Sequence, residues 1–336
     1  MPPSALRRTI PLAAALCCGL WIGACAWRGA PAPSLTDAEF RSLIQTLSEP
    51  PGTFDISDNL VSNEPHVAEN ARRVWRRGGV YVGVGPEQNF TYIASVRPVI
   101  AYVVDIRREN RSLHFFYKAL FELSSDRADF VARLFSRPRP AGLGAGSSAR
   151  EIFDRFDAVP PSAEQLQWNA ATVRRWLLET RRLPLDSTEL AWIDRLFTVF
   201  HDSGPSIQFW QARDTEPAPS FRRLMTMPDA SGFTRSFLAT EEDFRFVKDL
   251  HLRNLIVPVV GNFAGPTALR RIGDDIRSRG HRLSVFYGSN VGVYLTREQT
   301  RAFCRNLAAL PAADDAAFIE RDGVQKLSAK LRTCGG

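Results

Sequence analysis

Val80-Tyr81-Val82-Gly83-Val84-Gly85-Pro86-Glu87-Gln88-Asn89 sets the architecture of this 336-residue chain. Val80 to Val82 read as a short buried strand, the glycines as a turn, and the stretch through Tyr92 to Ser95 as a helix. A second apolar run, Val99 to Val104, closes on Asp105. Strand, turn, helix, strand is a βαβ unit, and strands that are apolar throughout belong to a parallel sheet covered on both faces. Glycines after the first strand matter because a backbone without side chains lets a phosphate, ribose or carboxylate approach the helix N-terminus. Asp105 follows Gly85 by 20 residues, the distance at which such units place a carboxylate on a ribose hydroxyl.

The loop departs from the dinucleotide pattern. Gln88 stands where a third glycine belongs, and Glu87 sets a negative charge where a pyrophosphate would sit. A ligand carrying an amine and an adenosine, such as S-adenosylmethionine, suits that carboxylate better. The plainer alternative is a tight strand-to-helix turn with Glu87 in solvent.

Sheet signals return late in the chain. Leu255 to Val260 reads as a strand, Thr267 to Arg279 as an amphipathic helix, Leu283 to Tyr287 as a strand and Val291 to Leu295 as a last short strand. Thr296 with Gln299 caps a helix carrying Cys304. Residues about 110–235 read as a large helical insertion, with capped helices opening at Ser162 and Asp186 and an irregular stretch from Gly204 to Gly232. Before the first strand, Thr36 and Glu39 form a capping box for a helix to about Leu47, and a second helix is expected from about Pro65 to Arg77. The fold class is therefore α/β, a doubly wound, mostly parallel Rossmann-like sheet over residues 36–321, with 322–336 as a C-terminal tail.

The N-terminus reads as an export signal. Arg7-Arg8 precede an apolar run from Ile10 to Trp21, too short to span a bilayer. Ile22-Gly23-Ala24-Cys25 resembles a lipobox, so residues 1–24 are expected to be removed, with Cys25 lipidated at the head of a tether over 25–35. Cleavage of an ordinary secretory signal near Ala30 or Ala32 is the alternative. Cys304 and Cys334 then remain, either as one disulfide or as two unpaired thiols. The net charge is +7, with 39 arginines against 4 lysines; they are scattered among acids, so no nucleic-acid surface is expected. The five histidines show no paired ligand spacing, so no metal is expected either.

Ser57 to Glu64, Gly83 to Tyr92, Val104 to Arg108, Tyr117 to Leu123 and Tyr287 to Tyr294 together resemble an uncharacterised bacterial family, a domain of unknown function whose fold is similar to class I methyltransferases. The resemblance covers most of residues 36–321. It implies that Gly83, Gly85 and Glu87 match the first-motif loop of methyltransferases and Asp105 the acid after the second strand. The usual acid before the first glycine pair is absent; Tyr81 and Val82 stand there.

Two functions follow as expectations. One is an exported methyltransferase-like domain holding S-adenosylmethionine or a related small molecule through Gly83, Gly85, Glu87, Asn89, Asp105, Ser289 and Asn290. The other is a non-enzymatic envelope lipoprotein that binds a ligand or partner protein through the same cleft. Asp58, Asn59, Asn63 and Glu64 either fold over the sheet's ligand edge or cap the helix after Pro65. Gly288 to Gly292 imitates a nucleophile elbow but centres on Asn290, which excludes a serine hydrolase of that type.

Overall fold

A computed structural model describes Met1 and residues 33–54, 59–209 and 218–334. The signal segment, Cys25, most of the tether, and Ser57 with Asp58 lie outside the described residues. Among the described residues the protein is an α/β fold of six strands in one mostly parallel sheet and thirteen α-helices.

The quoted stretch forms β1 (Val80–Gly83) and opens α3 (Gln88–Val96), after α1 (Asp37–Leu47) and α2 (Val67–Arg73). β2 (Ile100–Asp105) lies parallel to β1, with Gly83 opposite Val103. β3 (Ile256–Val260) extends the sheet on that side. The chain then crosses back, and β4 (Leu283–Ser289) pairs parallel with the other edge of β1. β5 (Ala312–Glu320) follows parallel and β6 (Gly323–Lys326) antiparallel, so the order is β3-β2-β1-β4-β5-β6. β1, β2 and β3 are buried along their whole length, as continuous apolar strands in a covered parallel sheet must be.

Between β2 and β3 run α4 (Arg108–Leu123), α5 (Arg127–Leu134), α6 (Ala149–Asp157), α7 (Ala163–Arg175), α8 (Ser187–Ser203), α9 (Phe221–Thr226) and α10 (Glu241–Leu252). α11 (Ala268–Ser278) and α12 (Arg297–Ala308) connect the later strands, and α13 (Leu327–Thr333) ends the chain. From Pro33 onward all of this is one compact unit, so the helical segment is a layer of the fold and not a separate body. Arg127, 1% exposed, holds that layer together: its guanidinium pairs with Glu241 and donates to the carbonyls of Leu238, Ala239, Ala145 and Ser147. Lys118 is also buried, donating to the His251 carbonyl and Asn254 and pairing with Glu122 at 2.7 Å. The Tyr117 to Leu123 stretch therefore serves the core.

Thr36, Asp186 and Thr296 form reciprocal capping boxes with Glu39, Glu189 and Gln299. Two expectations need correction. Val291–Tyr294 is an exposed 3₁₀ turn and not a strand, because Ser289 at φ +49° turns the chain out of the sheet. Residues 322–336 are not a plain tail: β6 and α13 form there, and Cys334 is disulfide-bonded to Cys304 of α12. β5 escaped sequence reading because its half-exposed Ala-Ala-Asp-Asp start lacks the branched and aromatic residues that mark strands.

Candidate functional site

The four parallel strands β1 to β4 deliver their carboxyl ends to one cavity of about 230 Å³. Gly85 follows β1, Asp105 ends β2, Asn262 follows β3, and Ser289 with Asn290 closes β4; all five line it. The reversal of strand order between β1 and β4 leaves this opening, because the crossover connections leave in opposite directions there.

Of the seven residues expected to touch a ligand, Gly85, Asp105, Ser289 and Asn290 line the cavity, whereas Gly83, Glu87 and Asn89 do not. Those three build the loop instead. Gly85 has φ +81°, a conformation that suits glycine. A Cβ on Gly83 would lie 2.2 Å from Asn89 Oδ1 and 2.4 Å from the Tyr81 hydroxyl, so the absent side chain makes room for an internal hydrogen bond. Tyr81 donates that bond to Asn89 Oδ1 at 2.8 Å, and Asn89 Nδ2 donates to the carbonyls of Val84, Gly85 and Pro86. His114 donates from Nε2 to the Gly85 carbonyl at 2.9 Å; burial lowers its pKa to about 4, so it is the neutral ring that holds the turn.

Glu87 is neither solvated nor open to a ligand. It is fully buried and accepts from the Ser62 amide at 3.1 Å on each oxygen. Burial raises its pKa to about 8 against the opposing Ser62 bond, with Glu64 adding to the rise. Asp105 is gripped by its neighbour: Arg107 donates from Nε to Oδ1 at 3.0 Å and from Nη2 to Oδ2 at 2.9 Å, and its amide donates to Oδ1. This pair is 5% and 6% exposed, so the ribose-type acceptor is already occupied by a guanidinium.

The polar floor of the cavity is Glu64. Its Oε1 accepts from the hydroxyls of Tyr287 and Ser289, both at 2.5 Å, and Gln88 Nε2 donates to the Tyr287 oxygen at 2.8 Å. Burial raises the Glu64 carboxyl above its ordinary range, although the Ser289 and Tyr287 hydroxyls pull the other way. Asn59, Asn63 and Glu64 therefore lie over the ligand edge, and α2 begins without a side-chain cap. The sequence does not mark Gln88, Tyr287 and Arg107 as site residues. Gln88 and Tyr287 stand 199 residues apart, and no local pattern announces such a pair.

Outside the cavity, the carboxylate of Glu49 accepts from the amides of Asn262, Thr267 and Ala268. The positive end of α11 is thus filled by the protein's own anion.

The sequence model of a family described as a domain of unknown function, DUF7790, matches residues 59–141 and 188–328. The chain belongs to that family. The DUF7790 match spans about two thirds of the chain and takes in all six strands and most of the cavity lining. The stretch between its two segments, which holds α6 and α7, lies outside the DUF7790 match. No curated protein matches the chain.

Proposed function

We propose that the cleft is a small-molecule binding site on a Rossmann-like, methyltransferase-like framework, carried by an exported lipoprotein anchored through Cys25. One observation carries the binding reading: β1 to β4 converge with their carboxyl ends on one cavity at the point where strand order reverses, the place where open α/β sheets take ligands. S-adenosylmethionine is the reference ligand because Asp105 stands where a ribose acceptor stands in such folds.

Binding without methyl transfer is the form of the proposal that the loop favours. Glu87 and Asn89 turn inward, and Asp105 is held by Arg107. A cofactor would have to displace that guanidinium before it reached the carboxylate.

The test is thermal unfolding of the purified protein with S-adenosylmethionine, S-adenosylhomocysteine and a library of neutral metabolites, repeated on Asn63→Ala. A ligand specific for the folded state stabilises it by roughly 2.7 kcal/mol at a hundredfold excess over Kd. A shift that the substitution removes supports the cleft. No shift with any compound, or shifts that Asn63→Ala leaves intact, would sink it.

A further inference from the structure

Asn59, Asn63, Asn262 and Asn290 line the cavity, each half-buried. Asn262 uses its carbonyl oxygen locally, accepting from the Ala264 amide, and the Asn290 carboxamide oxygen lies 3.3 Å from the Ser289 hydroxyl, whose proton goes to Glu64. None of the four carboxamide nitrogens donates to another described residue, and the side chains of Asn59 and Asn63 make no hydrogen bond with one. Four amide groups thus face a cleft with hydrogen-bonding capacity to spare.

Charge is cancelled in the same lining. Asp105 and Arg107 neutralise each other through two side-chain hydrogen bonds. Glu64 is enclosed by the hydroxyls of Tyr287, Ser289 and Tyr92, and burial disfavours its charged form. At the mouth, Phe54 and Tyr294 meet edge to face with ring centroids 4.9 Å apart, and Tyr294 is 50% exposed.

From this lining we infer that the cleft recognises a neutral, polyhydroxylated ring, the sugar of a saccharide or of a nucleoside, and discriminates against charged ligands. A carboxamide offers two donors and an acceptor, and a hydroxyl both donates and accepts, so the two groups satisfy each other in pairs. Aromatic rings at the mouth cover the apolar C–H surface of such a ring. Among the described lining residues the charges of Asp105 and Arg107 are already paired, so a charged ligand would leave water without a counter-charge from them. A site built to hydrogen-bond hydroxyls also rejects analogues that lack them, because amides that the bound ligand shuts off from water would be left without partners.

The inference rests on the cleft-binding reading and deepens it. Its test is calorimetric titration of the purified protein with two panels, at 50 and 500 mM salt. The neutral panel holds glucose, galactose, N-acetylglucosamine, maltose, cellobiose and adenosine; the charged panel holds S-adenosylmethionine, S-adenosylhomocysteine and adenosine monophosphate. Asn63→Ala and Asn290→Ala, singly and together, are titrated alongside after circular dichroism has established that they fold. At least one neutral ligand is expected to bind, with a Kd unchanged within twofold between the two salts and weakened tenfold or more in the double variant. Whether a saccharide or adenosine binds identifies the source of the ring. Binding confined to the charged panel overturns this inference and leaves the cleft reading standing. Neutral binding that both substitutions leave intact overturns the inference by placing the ligand elsewhere. Silence from both panels overturns both readings.

Discussion

Replacing Glu87 with glutamine is expected to stabilise the fold at pH 8 and to flatten its pH dependence. Glu87 is completely buried, and burial lifts its pKa from 4.5 to about 8 despite the Ser62 amide that bonds both oxygens. A carboxyl whose pKa is higher folded than unfolded holds a proton that the unfolded chain gives up. Its contribution is complete below about pH 4.5 and is lost as pH rises to about 8. Each pH unit in that window is worth about 1.4 kcal/mol, so this group's contribution falls by about 5 kcal/mol across it at most. Glutamine keeps the shape and one oxygen for the Ser62 amide and has no proton to release. Urea unfolding midpoints at pH 5, 6.5 and 8 measure the difference. The wild-type midpoint should fall more steeply with pH than that of Glu87→Gln, which keeps the slope that Glu64, raised in the same direction, and the buried His114 and His251, lowered and opposing it below about pH 6.5, supply together. Equal slopes in the two proteins, or a variant less stable at pH 8, would refute the reasoning.

Four other predictions concern the loop, the ion pair and the two ends of the chain. Gly85→Ala, at φ +81°, should lose about 1–2 kcal/mol in denaturant unfolding, and Gly83→Ala should lose more, since its Cβ would collide with Asn89 and Tyr81; the reverse order would mean that the loop has relaxed. Asp105→Asn should destabilise by about 3–5 kcal/mol because the buried Arg107 guanidinium loses its counter-charge, and a double-mutant cycle with Arg107→Gln should recover part of that loss; purely additive effects would contradict it. Cys334→Ser opens a link across 30 residues and should lower stability by about 3 kcal/mol, matched by treating the wild type with reductant; no difference between oxidised and reduced protein would count against it. Cys25→Ser should abolish metabolic labelling with palmitate in a bacterial host, and labelling that persists would overturn the lipoprotein proposal.

Several parts of the molecule were legible locally. The capping boxes at Thr36, Asp186 and Thr296 depend on residues three apart, and the buried strands β1 to β4 depend on unbroken apolar runs, so short-range pattern is enough to find them. The β1 loop was legible in position and misread in part. Glycine next to strand and helix marked a site where the backbone must come close to something. What comes close to Gly83 is the Tyr81–Asn89 hydrogen bond. Val291 to Leu295 was apolar enough for a strand, but the direction of the chain there is decided by the backbone of Ser289.

The sequence by itself determined the order of the strands through β4, the glycine loop after the first strand and the acid after the second, because hydrophobic periodicity, turn chemistry and capping act over a few residues. Only the tertiary structure decided which side chains face the cavity. Glu64, Asn262 and Ser289 are brought together by the reversal at β1, whereas Glu87 and Asn89 are turned inward to satisfy the Ser62 amide and the loop carbonyls. The physical reason is that buried polar groups must find partners, and those partners can lie far away along the chain, 225 residues in the case of Ser289 and Glu64.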